Sequence, residues 1–265
     1  MNEETYHPSW KNTNKYLIYF NYFFEYIKFR DVKSLKASLR YVLNGKLPIR
    51  GYQTKSGMGK FAIRKNSTDF QFINYAYEKS IKKYLLKNID SFDVFIDAGA
   101  CIGEYCIWLG GFNKKCIAIE PVNFSALEKN IELNGLGNLI QAFNYGIGNV
   151  AEKVYFIIPD GVTSSSHIDR DKLEEPNVEI ITFDELSKRF NINKNDRIIL
   201  KLDVEGMEVE AIQGAKIFIE NTPNLRVIYE HFPSDGYRND KALQSILKFE
   251  IADIDKVNRI ASKRN

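Results

Sequence analysis

Acidic residues close four apolar runs in this chain, and two glycines turn the backbone just after the first of them. "DVFIDAGACIGEYCIWLG" spans Asp93 to Gly110, with Asp97 ending an apolar run and Gly99 and Gly103 punctuating the turn that follows. "CIAIE" closes on Glu120, "RIILKLDVEG" carries Asp203 and Glu205, and "NLRVIYEHF" carries Glu230 and His231. Carboxylates and imidazoles at the carboxyl ends of strands hold ligands and move protons.

The turn limits the cofactor. A dinucleotide site reads G-x-G-x-x-G, with the second glycine letting the backbone approach a pyrophosphate. Here Cys101 and Glu104 stand at the second and third glycine positions. The Cys101 Cβ would crowd a phosphate, which argues against a nicotinamide-dependent oxidoreductase. A tight turn at Gly99, a close backbone approach at Gly103 and a helix start remain, and these suit a smaller anion such as a carboxylate. Glu120 lies 21 residues after Gly99, where an acid accepts hydrogen bonds from ribose hydroxyls. A ribose, a modest anion and Asp97 for an ammonium together describe S-adenosylmethionine. Ala100, Cys101 and Tyr105 of the turn, Pro121 after Glu120, Asn144 at the end of the next apolar run, and Asp203 complete the expected cofactor contacts.

The elements that must position these groups follow from the patterning. "VFID", "CIAIE", "LIQAFNYGIG" (139–148), "RIILKLDVEG" (197–206) and "NLRVIYEHF" (224–232) read as strands, with helical patterns at "GEYCIWLG", "NFSALEKNIELNG" and "MEVEAIQGAKIF" between them. This alternation predicts an α/β fold: a doubly wound, mostly parallel, Rossmann-like sheet. "KVYFIIP" and "VEIITFDEL" predict a β insert after the third strand, within 149–196, with a polar loop between them. Residues 1–90 are expected to form an N-terminal cap of two helices, ended by Gly45 and Pro48, and a hairpin turning at Asn66–Thr68. Residues 91–265 then form the cofactor-binding domain.

"FIDAGACIGEY", "AIEPVNFSALEKNIELNGLGN", "LKLDVEGMEVEAIQGA" and "VIYEHFP" together resemble the FkbM family of S-adenosylmethionine-dependent methyltransferases. The resemblance runs from Phe61 to Phe232. "GVTSSSHI" and "ITFDEL" in the insert resemble the serine-rich loop and threonine-acid strand of that family. The family's first turn usually has Asn where this chain has Cys101. The resemblance implies a class I methyltransferase fold and O-methylation, often of a sugar hydroxyl in a glycan or natural product.

Methyl transfer to a hydroxyl needs the acceptor oxygen held close to the sulfonium and a base or metal to ease its deprotonation. His231 is the expected general base, because its ordinary pKa lets it accept a proton at neutral pH. Asp203 faces the cofactor or orients the base. Strand alternation carried through "KLDVEG" would put Lys201, Asp203 and Glu205 on one side. Glu205, Glu230 and the loop residues Ser165 and His167 are the expected acceptor contacts. Asp203, Glu205, Glu230 and His231 are also groups that hold magnesium or manganese, but they show no fixed ligand spacing, and no metal is assigned.

The bulk composition agrees with a soluble enzyme. A net charge of +3 with 27% charged residues lacks the basic excess of a nucleic-acid binder. The three cysteines do not make a disulfide framework or zinc site, the first fifteen residues are polar rather than a secretory signal, and a cytoplasmic location is expected. "YLIYFNYFFEYIKF" (16–29) is too short and too interrupted by Asn21, Glu25 and Lys28 to span a bilayer. It is expected to pack on the main domain, to form a homodimer, or to lean on an anionic membrane with the help of Arg30, Lys33, Lys36 and Arg40. The family resemblance implies as acceptor a bacterial surface glycan or its nucleotide-linked precursor. The alternatives are another small molecule or natural product as acceptor, and a non-catalytic scaffold that keeps the cofactor fold.

Overall fold

The computed structural model describes residues 15–157, 167–169, 175–232, 234 and 236–263. The apolar runs form the seven-stranded sheet that the alternation predicts. β3 (Val94–Ala98), β4 (Lys115–Ile119), β5 (Ile140–Phe143), β10 (Ile198–Leu202) and β11 (Leu225–Glu230) are parallel. β12 (Phe249–Asp253) and β13 (Asn258–Lys263) form an antiparallel edge, giving the order β12-β13-β11-β10-β3-β4-β5. Every residue of β3 and β10 is buried, as central parallel strands covered on both faces must be.

Two cores lie on the two faces. On one, α5 (Glu104–Gly110) and α6 (Phe124–Asn134) pack with the N-terminal elements around Phe95, Ile102, Tyr105 and Leu127. Those elements are α2 (Val32–Asn44), the hairpin β1 (Tyr52–Ser56) and β2 (Gly59–Ile63), α3 (Asp69–Phe72) and α4 (Lys79–Lys87). Tyr41, Met58, Phe61 and Phe70 enter the same core as Phe95 of β3. On the other face, α7 (Phe183–Ser187), α8 (Glu208–Gln213), α9 (Lys216–Asn221) and α10 (Arg238–Ile246) cover Val94, Ile96 and Ala98. α1 (Tyr16–Lys28) packs on α2.

Several local expectations are corrected. The hairpin turns at Gly57–Met58 rather than Asn66–Thr68, which follow it. The run 139–148 is two strands: β5 stays in the main sheet, and β6 (Gly146–Gly148) pairs with β9 (Val178–Thr182) in a second sheet with β7 (Glu152–Ile157) and β8 (His167–Asp169). "FDEL" leaves the strand pattern because the Thr182 hydroxyl accepts the Glu185 N–H and caps α7. The helix at 207–218 is broken, because the Asp184 carboxylate accepts the N–H groups of Ile217 and Phe218 and starts α9 afresh.

β10 also stops at Leu202, one residue short of the expected acids. Glu205 and Gly206 then take positive φ (52° and 90°), so the alternation that would have aligned Lys201, Asp203 and Glu205 ends there. The loop crosses directly over the β3 turn. Gly99 has φ +91°, and a Cβ on it would lie 1.8 Å from the Asp203 carbonyl oxygen. The Asp203 N–H donates to the Ala98 carbonyl at 2.9 Å. Only glycine fits under this crossing, for both conformational and steric reasons. Gly99→Ala should therefore lower stability by more than about 2 kcal/mol in urea denaturation. Gly137→Ala, where a Cβ meets nothing within 4 Å, should stay within about 0.5 kcal/mol of the parent.

Candidate active site

At the carboxyl ends of β3, β4, β10 and β11 lies a cavity of about 260 Å³. Each wall comes from a different element. The β3–α5 turn gives Gly99, Cys101 and Glu104; the end of β4 gives Ile119, Glu120, Pro121, Val122 and Asn123. Tyr145, Gly146 and Ile147 follow β5, and Phe156 comes from β7. Asp203, Val204, Glu205 and Met207 form the loop after β10, and Glu230 ends β11. Phe72, Tyr77 and Glu78 come from the N-terminal elements. Six of these residues are carboxylic acids, and among the described residues no lysine, arginine or histidine lines the cavity.

Glu120 ties two loops together. One oxygen accepts the N–H groups of Val122 and Asn123, both at 2.7 Å, and the Asn123 side-chain amide at 3.2 Å. The other accepts the Cys101 N–H at 3.0 Å. Arg64, just past β2, donates to the Asn123 side-chain oxygen at 2.6 Å and forms a bidentate pair with Asp69. Burial raises the Glu120 pKa, and the backbone donors from Asn123, Val122 and Cys101 work against that rise. Cys101 adopts φ +47°, a left-handed conformation that Asn and Gly occupy more readily.

Beneath the acids lies a lysine. Lys201 is buried, with its ammonium 2.6 Å from an Asp203 oxygen, 4.0 Å from Glu78 and 5.2 Å from the centre of the Tyr105 ring. Burial alone would lower its pKa, but Asp203, Glu78 and Asp97 outweigh that and hold it well above the ordinary value. A second buried lysine, Lys82, also acts on Glu78 and Glu104, yet the acids outnumber both charges. Burial pushes Asp97 up to about 7 and Glu104 up to about 8, each carboxyl adding to the neighbouring negative field. One oxygen of each is buried without a hydrogen-bond partner. Burial, with Asp203 nearby, raises Glu230 to about 7 and Glu205 to about 8. Glu205 is exposed at the rim, so water moderates its shift.

The structure brings together Gly99, Cys101, Glu120, Pro121, Asp203, Glu205 and Glu230 from the expected set. Others move away from the cavity. Asp97 and Ala100 are buried and do not line it, so Asp97 acts from below. Gly103 (φ +86°) is demanded by protein packing rather than by a ligand, since a Cβ there would lie 2.5 Å from Leu127 Cδ1. Tyr105 lies under the floor, donating its hydroxyl to Glu78 at 2.7 Å. Asn144 is exposed and outside the lining, which takes Tyr145 and Gly146 instead. The expected small-anion place at the start of α5 is taken by Glu104, whose own N–H bonds its carboxyl.

His231 also lies away from the cavity. Along β11, Glu230 shares the face of Ile228, whereas His231 follows Tyr229 on the opposite face. There its ring stacks on Tyr237 with centroids 5.2 Å apart, and it does not line the cavity. Ser165 falls outside the described residues, and His167 is described only as backbone of β8 paired with Ile157. Among the described residues no group of three or more histidines, cysteines or acids is placed to hold a metal ion. Sequence reasoning missed Glu78, Glu104, Phe72 and Tyr77. Glu104 carried a signal, as an acid opening the helix after the turn; the other three reach the cavity only through tertiary packing.

The raised carboxyl pKa values set a pH dependence. Folded Asp97 and Glu104 hold protons that the unfolded chain has released above about pH 4.5, so stability falls as pH rises from there through about 8. Glu104→Gln removes one of these groups. Its thermal midpoint should exceed the parent's at about pH 9 and converge with it at about pH 4, read by circular dichroism.

The "Methyltransferase FkbM domain" family model matches residues 97–257. Among solved structures, methyltransferase FkbM from Methylobacillus flagellatus KT aligns at 19% identity and TM-score 0.46, covering 64% of this chain and 43% of that one. This chain thus spans less than half of that relative. An S-adenosylhomocysteine-bound methyltransferase from Podospora anserina aligns at 7% identity and TM-score 0.43, covering 75% of this chain and 82% of that one. No curated protein matches the sequence significantly. The family model accounts for more than half of the chain and runs from Asp97 at the β3 turn past Glu230 at the end of β11, and the chain belongs to the FkbM methyltransferase family.

Proposed function

We propose that the protein moves a methyl group from S-adenosylmethionine to a hydroxyl, and that the acceptor is a sugar of a surface glycan or of its nucleotide-linked precursor. The polarity of the cavity carries this reading: six acids line it, with no basic side chain among the described lining residues. S-adenosylmethionine has a sulfonium and an ammonium against one carboxylate, so it is a net cation. A dinucleotide would bring its pyrophosphate among these acids and be repelled.

The lining fits the cofactor group by group. Glu120 accepts only one protein donor on its Cys101-facing oxygen, which leaves a lone pair for a ribose hydroxyl. Ile119, Val122, Ile147 and Phe156 offer apolar walls for a purine. Glu104, with an unpartnered buried oxygen, and Asp97 behind it suit an ammonium. When bound, the cofactor supplies an electrophilic methyl carbon whose bonding electrons leave with sulfur.

The chain's own residues would then handle the acceptor. Glu230 lines the cavity, and its pKa of about 7 keeps a useful share of base at neutral pH while letting it hold a proton afterwards. It takes the acceptor's hydroxyl proton in place of His231. Lys201 donates to Asp203 at 2.6 Å and holds its side chain at the cavity edge, where it orients the acceptor or the cofactor. Glu205 at the rim meets the outer hydroxyls. The acids favour entry of the sugar, with any phosphate left outside.

Mass spectrometry of candidate nucleotide sugars and glycan fragments incubated with enzyme and S-adenosylmethionine should show a mass gain of one methyl. Glu230→Gln should lower turnover at least about 100-fold while S-adenosylhomocysteine affinity, by isothermal titration, stays within about threefold. His231→Ala should keep turnover within about threefold. Glu120→Ala should weaken S-adenosylhomocysteine more than about tenfold. Unchanged turnover in Glu230→Gln would remove it as base, and unchanged affinity in Glu120→Ala would remove the ribose contact.

A further inference from the structure

The helical pair α1 and α2 leaves an uncovered apolar surface. On α1, Leu17, Phe20, Phe24 and Ile27 follow a 3-4-3 spacing, which is one helix face, and they are 74%, 66%, 56% and 61% exposed. On α2, Val32, Leu39 and Leu43 are exposed at the same kind of spacing, with exposed Lys36 among them. Single exposed apolar residues are ordinary, but a stripe of this size on two packed helices needs a partner.

Charge selects the partner. Residues 15–50 hold eight basic side chains and two acidic ones. Both acids, Glu25 and Asp31, are buried, and Asp31 is spent capping α2 through the Ser34 N–H. The exposed charge of this segment is therefore entirely positive, whereas the net charge of the whole chain is only +3 and the remainder is net negative. A second copy would set this positive surface against itself across a twofold axis. A nucleic acid would meet the charge but leave the apolar stripe in water.

We propose that α1 and α2 form a docking face for an anionic membrane surface, with the α1 stripe entering the headgroup boundary and the basic side chains meeting lipid phosphates. No helix among the described residues is long and apolar enough to cross a bilayer, so the contact is peripheral. The face is joined to the cavity wall. The Tyr26 hydroxyl donates to the Phe70 carbonyl at 2.6 Å, and the Asn74 amide donates to the Tyr22 carbonyl at 3.0 Å. Phe72 and Tyr77, in that same segment, line the cavity. The proposal stands independently of which acceptor the cavity takes, because its readout is binding alone.

Flotation of the purified full chain with vesicles of phosphatidylcholine plus phosphatidylglycerol, against vesicles of phosphatidylcholine alone, tests it. At about 100 mM salt the anionic vesicles should carry at least about tenfold more protein, and about 500 mM salt should remove most of that excess. Phe20→Ser with Phe24→Ser, and separately Lys36→Glu with Lys46→Glu, should each cut binding more than about fivefold. Unchanged thermal midpoints and unchanged S-adenosylhomocysteine affinity in these variants would show that the fold is intact. Flotation that ignores lipid charge, or that survives both pairs of substitutions, would overturn the proposal. So would absence of flotation, whether the chain then proves dimeric by light scattering or shifts RNA in a gel.

Discussion

The passage of the β10–α8 loop over the β3 turn, with Gly99 directly beneath the Asp203 carbonyl, is the contact on which the site depends. It brings two segments far apart in sequence to a separation that excludes even a methyl group. The hydrogen bond from Asp203 N–H to the Ala98 carbonyl fixes their register. Glu120 then holds Cys101 from the other side, so the turn is clamped between the ends of β4 and β10. Each acid of the cavity is presented from one of these clamped ends or from an element packed against them.

That clamp concentrates negative charge, and the molecule answers it with a buried cation. Lys201 sits under the cavity, paired with Asp203 and close to Glu78, and Tyr105 beneath it ties Glu78 in place. Lys201 and the neighbouring buried Lys82 do not neutralise the whole group, and burial raises the pKa of Asp97, Glu104 and Glu230 to about 7 or 8. A cationic ligand would relieve this repulsion, and binding would then be linked to proton release. The same excess would repel a polyphosphate.

The N-terminal elements serve two surfaces. Inward, Phe72, Tyr77 and Glu78 close the cavity, and Arg64 braces Asn123 against the loop held by Glu120. Outward, α1 and α2 collect positive charge and apolar side chains while burying their two acids. The opposed polarities of the cavity and the helical face come from different stretches of one chain.

The mostly parallel sheet and the identity of its end-of-strand acids were legible in the sequence, because apolar periodicity and glycine placement are local properties. The glycine turn and Glu120 followed from the same logic, and both line the cavity. The direction of a side chain at a strand end was not legible. His231 and Glu230 are adjacent, and a one-residue difference in register sends them to opposite faces, so only the pairing of β11 with β10 and β13 decided which enters the cavity. The same holds for Glu205, displaced when β10 ended early, and for Glu78, which no motif marks. The sequence by itself determined the fold class and the glycine turn after β3, since these rest on backbone freedom and hydrophobic pattern. Tertiary structure alone decided which acids share one desolvated space, because their pKa values and roles arise from distances between segments that the chain order does not encode.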